Sequence, residues 1–120
     1  MPKEEFAIFI NADGIGRGDD GLGQRQMAKF LGELSQMETE AIPQFICLMN
    51  AGVKIACEES APVAEVITHL KKLQELGVEI LVCGTCLDFF GLREKVSVGR
   101  IGNITEITTV LVKAEKVLTV

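Results

Sequence analysis

Three short, almost continuously apolar runs punctuate the chain: residues 6–10 (Phe-Ala-Ile-Phe-Ile), 44–49 (Gln-Phe-Ile-Cys-Leu-Met) and 78–82 (Val-Glu-Ile-Leu-Val). Each is strand-length and lacks the alternation of a half-exposed strand, as expected of strands covered on both faces in a parallel sheet. Each delivers a polar or glycine-bearing turn at its carboxyl end. These turns are Asn11-Ala12-Asp13-Gly14, Asn50-Ala51-Gly52 and Cys83-Gly84-Thr85-Cys86. Residues 53–56 read as a short extension of the second strand.

Between the runs the apolar spacing becomes helical. Met27, Phe30, Leu31 and Leu34 form one stripe, on a helix beginning near Leu22 with Asp20 as its cap. Val66, Ile67, Leu70, Leu73 and Leu76 form a second, with Ser60 as cap, Pro62 in the first turn and Gly77 at the end. A short helix follows the third strand and stops at Gly91. A brief strand or turn is expected in 96–101, a helix over 105–114 with Ile107, Val110 and Leu111 inward, and a closing strand at 116–120. Strands alternating with helices predict right-handed crossovers and an α/β fold, a three-layer sandwich around a mainly parallel sheet. In such folds ligands and reactive groups gather beyond the carboxyl ends of the strands. Asn11, Asn50 and Cys83 occupy those ends. Where the three strands are neighbours, Asp13, Gly16, Asn50, Gly52 and the cysteine pair would rim a shared pocket.

Length and composition narrow the function. With 120 residues, 48% of them hydrophobic, the chain is expected to be a single domain spanning 1–120 with a core of its own. A net charge of −5 and the lack of Trp and Tyr argue against nucleic acid, which draws on clustered cations and stacking platforms. No apolar stretch reaches the roughly 20 residues of a membrane span, and the first five residues do not read as a signal peptide. The expected location is the cytoplasm. In that reducing setting four cysteines are free, catalytic or metal-binding rather than a disulfide framework.

Cys83 and Cys86 are the thiols with a chemical context. At a strand-to-helix junction the free N–H groups of the helix start would lower a thiol pKa. A spacing of three lets one thiol attack a bond made by the other. Gly84 would allow a ligand to approach the backbone, and the Thr85 hydroxyl could hydrogen-bond a thiolate or perthiolate. The plain alternative is that both cysteines are small apolar fillers of a buried turn. Cys47, inside an apolar run, reads as buried and inert. Cys57 has two carboxylate neighbours that disfavour a thiolate, leaving it at most a secondary thiol. His69, mid-helix, reads as structural.

Other motif readings are weaker. Gly16-Arg17-Gly18-Asp19-Asp20-Gly21 matches the spacing of a dinucleotide fingerprint after a strand and before a helix, but two aspartates would repel a pyrophosphate. A thioredoxin-like reading lacks the cis-proline that faces the pair, since all three prolines precede the motif. One CxxC without a second ligand pair does not build a structural zinc site. No cofactor and no metal are expected.

Several stretches together resemble the DsrE-like family, most closely the carboxyl-terminal domain of YedF-type proteins connected with selenium metabolism. They are Asn11-Ala-Asp-Gly-Ile-Gly-Arg-Gly-Asp, Leu48-Met-Asn-Ala-Gly-Val-Lys, Gly77-Val-Glu-Ile-Leu-Val-Cys-Gly-Thr-Cys-Leu-Asp, Val98-Gly-Arg-Ile-Gly-Asn and Ala114-Glu-Lys-Val. The resemblance implies a sheet of about five strands, a homo-oligomer, and a sulfurtransferase or persulfide carrier in a sulfur or selenium relay. It places the persulfide on Cys83, with Cys86 as an added resolving thiol, and implies a donor or acceptor protein such as a TusA-like partner. Two departures stand out. Phe90 occupies the place before Gly91 where relay members often carry a basic residue, and no Cys-Pro dipeptide of an upstream TusA-like domain occurs. The competing class is a non-enzymatic small-ligand-binding or assembly module in which the cysteines are incidental.

Overall fold

In the computed structural model, which describes residues 5–120, the apolar runs form the middle of one sheet. The order is β1 (Phe6–Ile10), α1 (Asp20–Leu34), β2 (Phe45–Leu48), α2 (Glu65–Glu75), β3 (Glu79–Cys83), α3 (Gly84–Phe90), β4 (Arg100–Gly102), α4 (Ile104–Lys113) and β5 (Lys116–Thr119). Residues 1–4, part of the segment read above as unlike a signal peptide, lie outside the described residues.

All pairings in the five-stranded sheet are parallel, in the order β4-β3-β2-β1-β5. Stepping from β1 through β4 in one direction places the intervening helices on one face when the crossovers are right-handed. The return to β5 then carries α4 to the other face. Accordingly α1 packs on α2, while α4 lies against β1 and β3. This is the three-layer α/β/α sandwich. The reason the central strands read as unbroken apolar runs is now concrete: Ile8, Ile10, Ile46, Cys47, Leu48, Leu81 and Val82 are sealed from water on one face or the other. The edge strand β5 is exposed along its whole length.

Local details depart from the sequence reading where two similar residues compete for one role. Asp19, not Asp20, caps α1: its carboxylate accepts from Leu22 N–H at 2.7 Å, and Asp20 is the first helical residue. Helix α2 begins at Glu65 rather than at Pro62, and Ser60 does not cap it. The Ser60 hydroxyl instead donates to the Lys54 carbonyl at 3.0 Å, closing the turn that precedes the helix. Residues 53–56 do not extend β2; Asn50–Ala56 winds into a 3-10 helix. The expected strand or turn near 96–101 resolves into β4 at Arg100–Gly102, preceded by an isolated antiparallel bridge between Val96 and Cys57.

Candidate functional site

The register aligns the ends of the central strands, pairing Ile10 with Leu48 and Leu48 with Val82. The turns that follow therefore start side by side. The 3-10 helix after β2 is pressed onto the end of β1 at Gly52, where a Cβ would lie 2.4 Å from the Ile10 carbonyl oxygen. Only glycine lets the two backbones approach so closely. That seating fixes Asn50 in a left-handed conformation (φ 51°), which Asn tolerates better than most side chains.

From there the Asn50 backbone N–H donates to the Cys86 sulfur at 3.1 Å. Cys86 stands in the first turn of α3 and is half-buried. With Asn50, Thr85, Phe89 and Phe90 it lines an open cavity of about 400 Å³. Cys83, the last residue of β3, is 2% exposed and neighbours Cys86 closely enough to raise its pKa. Phe89 and Phe90 meet edge to face with ring centroids 5.2 Å apart, and Phe89 is 83% exposed at the rim.

The structure thus brings Cys83, Cys86, Thr85 and Asn50 together, with Gly52 as the packing point behind them. Gly52 is buried in backbone contact and does not line this cavity. Gly84 is also buried. The neighbour at the place of its missing Cβ is the Arg93 guanidinium, 2.8 Å away, rather than open space for a ligand. Asn11 is exposed at the end of β1, and Asp13 and Gly16 lie in the following loop; none of the three lines the cavity. That glycine-rich loop serves α1 instead. Gly23 abuts the Ile15 carbonyl, with a virtual Cβ 2.7 Å from its oxygen, and the Asp19 carboxylate occupies the helix start where a pyrophosphate would sit.

Electrostatics modify the expectation of an activated thiol. The Cys86 pKa lies above the ordinary 9.0, because burial disfavours the thiolate and Cys83 adds to the rise, outweighing the lowering effect of the Asn50 N–H. The remaining thiols sit in the core. Burial, with Glu106 and Glu79, pushes Cys47 up to about 11, and burial also raises Cys57, whose thiol donates to the Val53 carbonyl at 3.6 Å. His69 packs its ring over Gly32 of α1. Among the described residues, no group of three or more His, Cys, Asp or Glu is placed to hold a metal ion, and no helix is long and apolar enough to cross a membrane.

Two residues escaped the sequence reading. The Lys54 ammonium lies 4.6 Å from the centroid of Phe90, so a cation approaches the cavity wall from the turn after β2, opposite the position where the motif lacks a basic residue. Its only signal was its place in the Leu48–Lys54 stretch. Arg93 is gripped by Asp88 through Nε–Oδ1 at 2.6 Å and Nη2–Oδ2 at 3.1 Å, and this ion pair holds it over Gly84. Nothing in the spacing of Arg93 announces that placement.

Comparison with known proteins gives a family and a fold. The model of the DsrE/DsrF-like family matches residues 17–120. The solved structure of the ychN protein from E. coli superposes with a TM-score of 0.65 over 98% of this chain and 99% of that one. At 20% identity that likeness shows the fold alone. A comparison with curated protein sequences finds no match.

Proposed function

This chain belongs to the DsrE/DsrF-like family, and on that premise we propose that it is a persulfide carrier of a sulfur or selenium relay, with Cys83 and Cys86 as its reactive pair. One observation carries the reading: two neighbouring thiols at the carboxyl end of β3, one of them opening on a cavity and receiving a backbone N–H. A sulfane sulfur entering that cavity meets one thiol that can accept it and a second within reach to displace it. All four cysteines are free, which suits a reducing compartment, the cytoplasm. The exposed Phe89 at the rim supports a protein on that face, either a donor or acceptor such as a TusA-like protein or a second copy of the chain.

The test is single-turnover sulfide release. Reduced protein mixed with an organic hydropersulfide should yield sulfide and a Cys83–Cys86 disulfide. The Cys83→Ala/Cys86→Ala double variant should yield neither. Equal sulfide from both proteins would remove the carrier assignment. The raised Cys86 pKa favours a second reading, a small-ligand-binding or assembly module with resting thiols. That reading predicts no sulfide from either protein.

A further inference from the structure

Resting on the carrier reading above, we infer that Cys86 is the thiol that takes up the sulfur and Cys83 the thiol that releases it, the reverse of the order implied by resemblance. The argument is one of access. A thiolate must meet the terminal sulfur of its donor in line with the S–S bond that breaks, so the accepting sulfur needs open space in front of it. Cys83 has none. It is 2% exposed, and next to it Arg93 Nη2 and Ile101 Cγ2 close over Gly84, at 2.8 and 3.1 Å from the place of a Cβ. Cys86 forms part of the cavity wall, and thiols that react with external donors characteristically occupy such partly exposed positions.

The surroundings of Cys86 also suit the product. The Asn50 N–H already points at its sulfur from 3.1 Å and would remain a donor to the anion formed there. The left-handed Asn50 and the tight seat of Gly52 against Ile10 hold that N–H in place before any sulfur arrives. Thr85, Phe89 and Phe90 supply the remaining walls of the space in which an added sulfur atom would sit.

The chemistry closes in two steps. The Cys86 thiolate attacks the terminal sulfur of an organic hydropersulfide, an Sγ–S bond forms, and the donor S–S bond breaks to release a thiolate, which takes a proton from water. The buried Cys83, deprotonated as its proton passes to the departing sulfur, then attacks Cys86 Sγ from behind. The Sγ–S bond breaks, hydrosulfide leaves, and a Cys83–Cys86 disulfide forms. The two cysteine sulfurs lose two electrons and the sulfane sulfur gains them. A cellular dithiol reductant restores the pair.

The experiment is peptide mass spectrometry of reduced wild type, Cys83→Ser and Cys86→Ser after incubation with cysteine hydropersulfide and rapid alkylation. The inference predicts a persistent one-sulfur adduct on Cys86 in Cys83→Ser, where release is blocked, and loss of the adduct in Cys86→Ser. An adduct on Cys83 in Cys86→Ser would overturn the assigned order while leaving the carrier reading intact. No adduct and no sulfide from any of the three proteins would overturn both. Peptide-resolved alkylation of native wild type by iodoacetamide provides a check free of substitutions: Cys86 should be modified before Cys83, and the opposite order would contradict the inference.

Discussion

Gly52→Ala should damage both the fold and the site, because one contact serves both. The new Cβ would sit 2.4 Å from the Ile10 oxygen, 3.0 Å from the Ile10 carbonyl carbon and 3.4 Å from Ala12 N, all backbone atoms of the interior strand β1 and its turn. None of them can swing aside as a side-chain tip would. Overpacking a buried site costs about 1–3 kcal/mol. The Ile10 carbonyl also accepts from Met49 N–H at 3.0 Å, and displacing it weakens a backbone bond worth about 1 kcal/mol. Against this, alanine narrows the unfolded ensemble by about 0.5 kcal/mol. The net expectation is a loss of about 2–3 kcal/mol, a large share of the roughly 5–15 kcal/mol that hold a domain together. Urea unfolding followed by far-UV circular dichroism reads it, the chain having no Trp or Tyr for fluorescence. The same shift pulls Asn50 from Cys86, so alkylation of Cys86 should change alongside stability. A loss below about 0.5 kcal/mol, the range of an ordinary surface substitution, would refute the close seating of the two backbones.

Three further predictions follow from the thiols and the first helix. Cys86 alkylation should climb roughly tenfold per pH unit through neutrality, since only the thiolate reacts and its pKa is raised; Cys83→Ala removes a neighbouring thiol that contributes to the rise and should move the profile to lower pH, and an upward move would contradict the pairing of the thiols. Cys47, raised from 9.0 to about 11 in the fold, contributes stability that is fully present below pH 9 and lost as pH rises through 11, about 3 kcal/mol at roughly 1.4 kcal/mol per pKa unit. Cys47→Ala should flatten that alkaline part of the stability curve, and an unchanged slope would show the loss to come from other groups. Asp19→Ala should cost about 1 kcal/mol in urea unfolding and Asp20→Ala clearly less; equal costs would mean that the Asp19 carboxylate is not the cap.

The strands were legible because burial on both faces writes itself as a nearly continuous apolar run, as in 6–10 and 78–82. Helix interiors were legible for a similar reason, the stripe from Met27 to Leu34 facing the sheet. What escaped depended on contacts between distant residues. Asp19 and Asp20 are chemically alike, and only the fold decides which carboxylate reaches Leu22 N–H. The turn after β2 winds into a 3-10 helix because Gly52 docks on Ile10, a contact spanning two strands. At the site, the motif located the thiols but not their exposure: Cys83 is sealed in the core while Cys86 faces the cavity. The pKa expectation failed for a related reason: a helix start favours a thiolate, but burial and a neighbouring thiol act more strongly on Cys86.

The most direct test of a sulfur-carrying cysteine pair is a time-resolved intact-mass measurement of the reduced wild-type protein mixed with a stoichiometric hydropersulfide. The account predicts a species heavier by one sulfur that appears first and then converts into one lighter than the starting protein by two hydrogens, the Cys83–Cys86 disulfide. A mass that never changes, or sulfur spread over all four cysteines without disulfide formation, would contradict it.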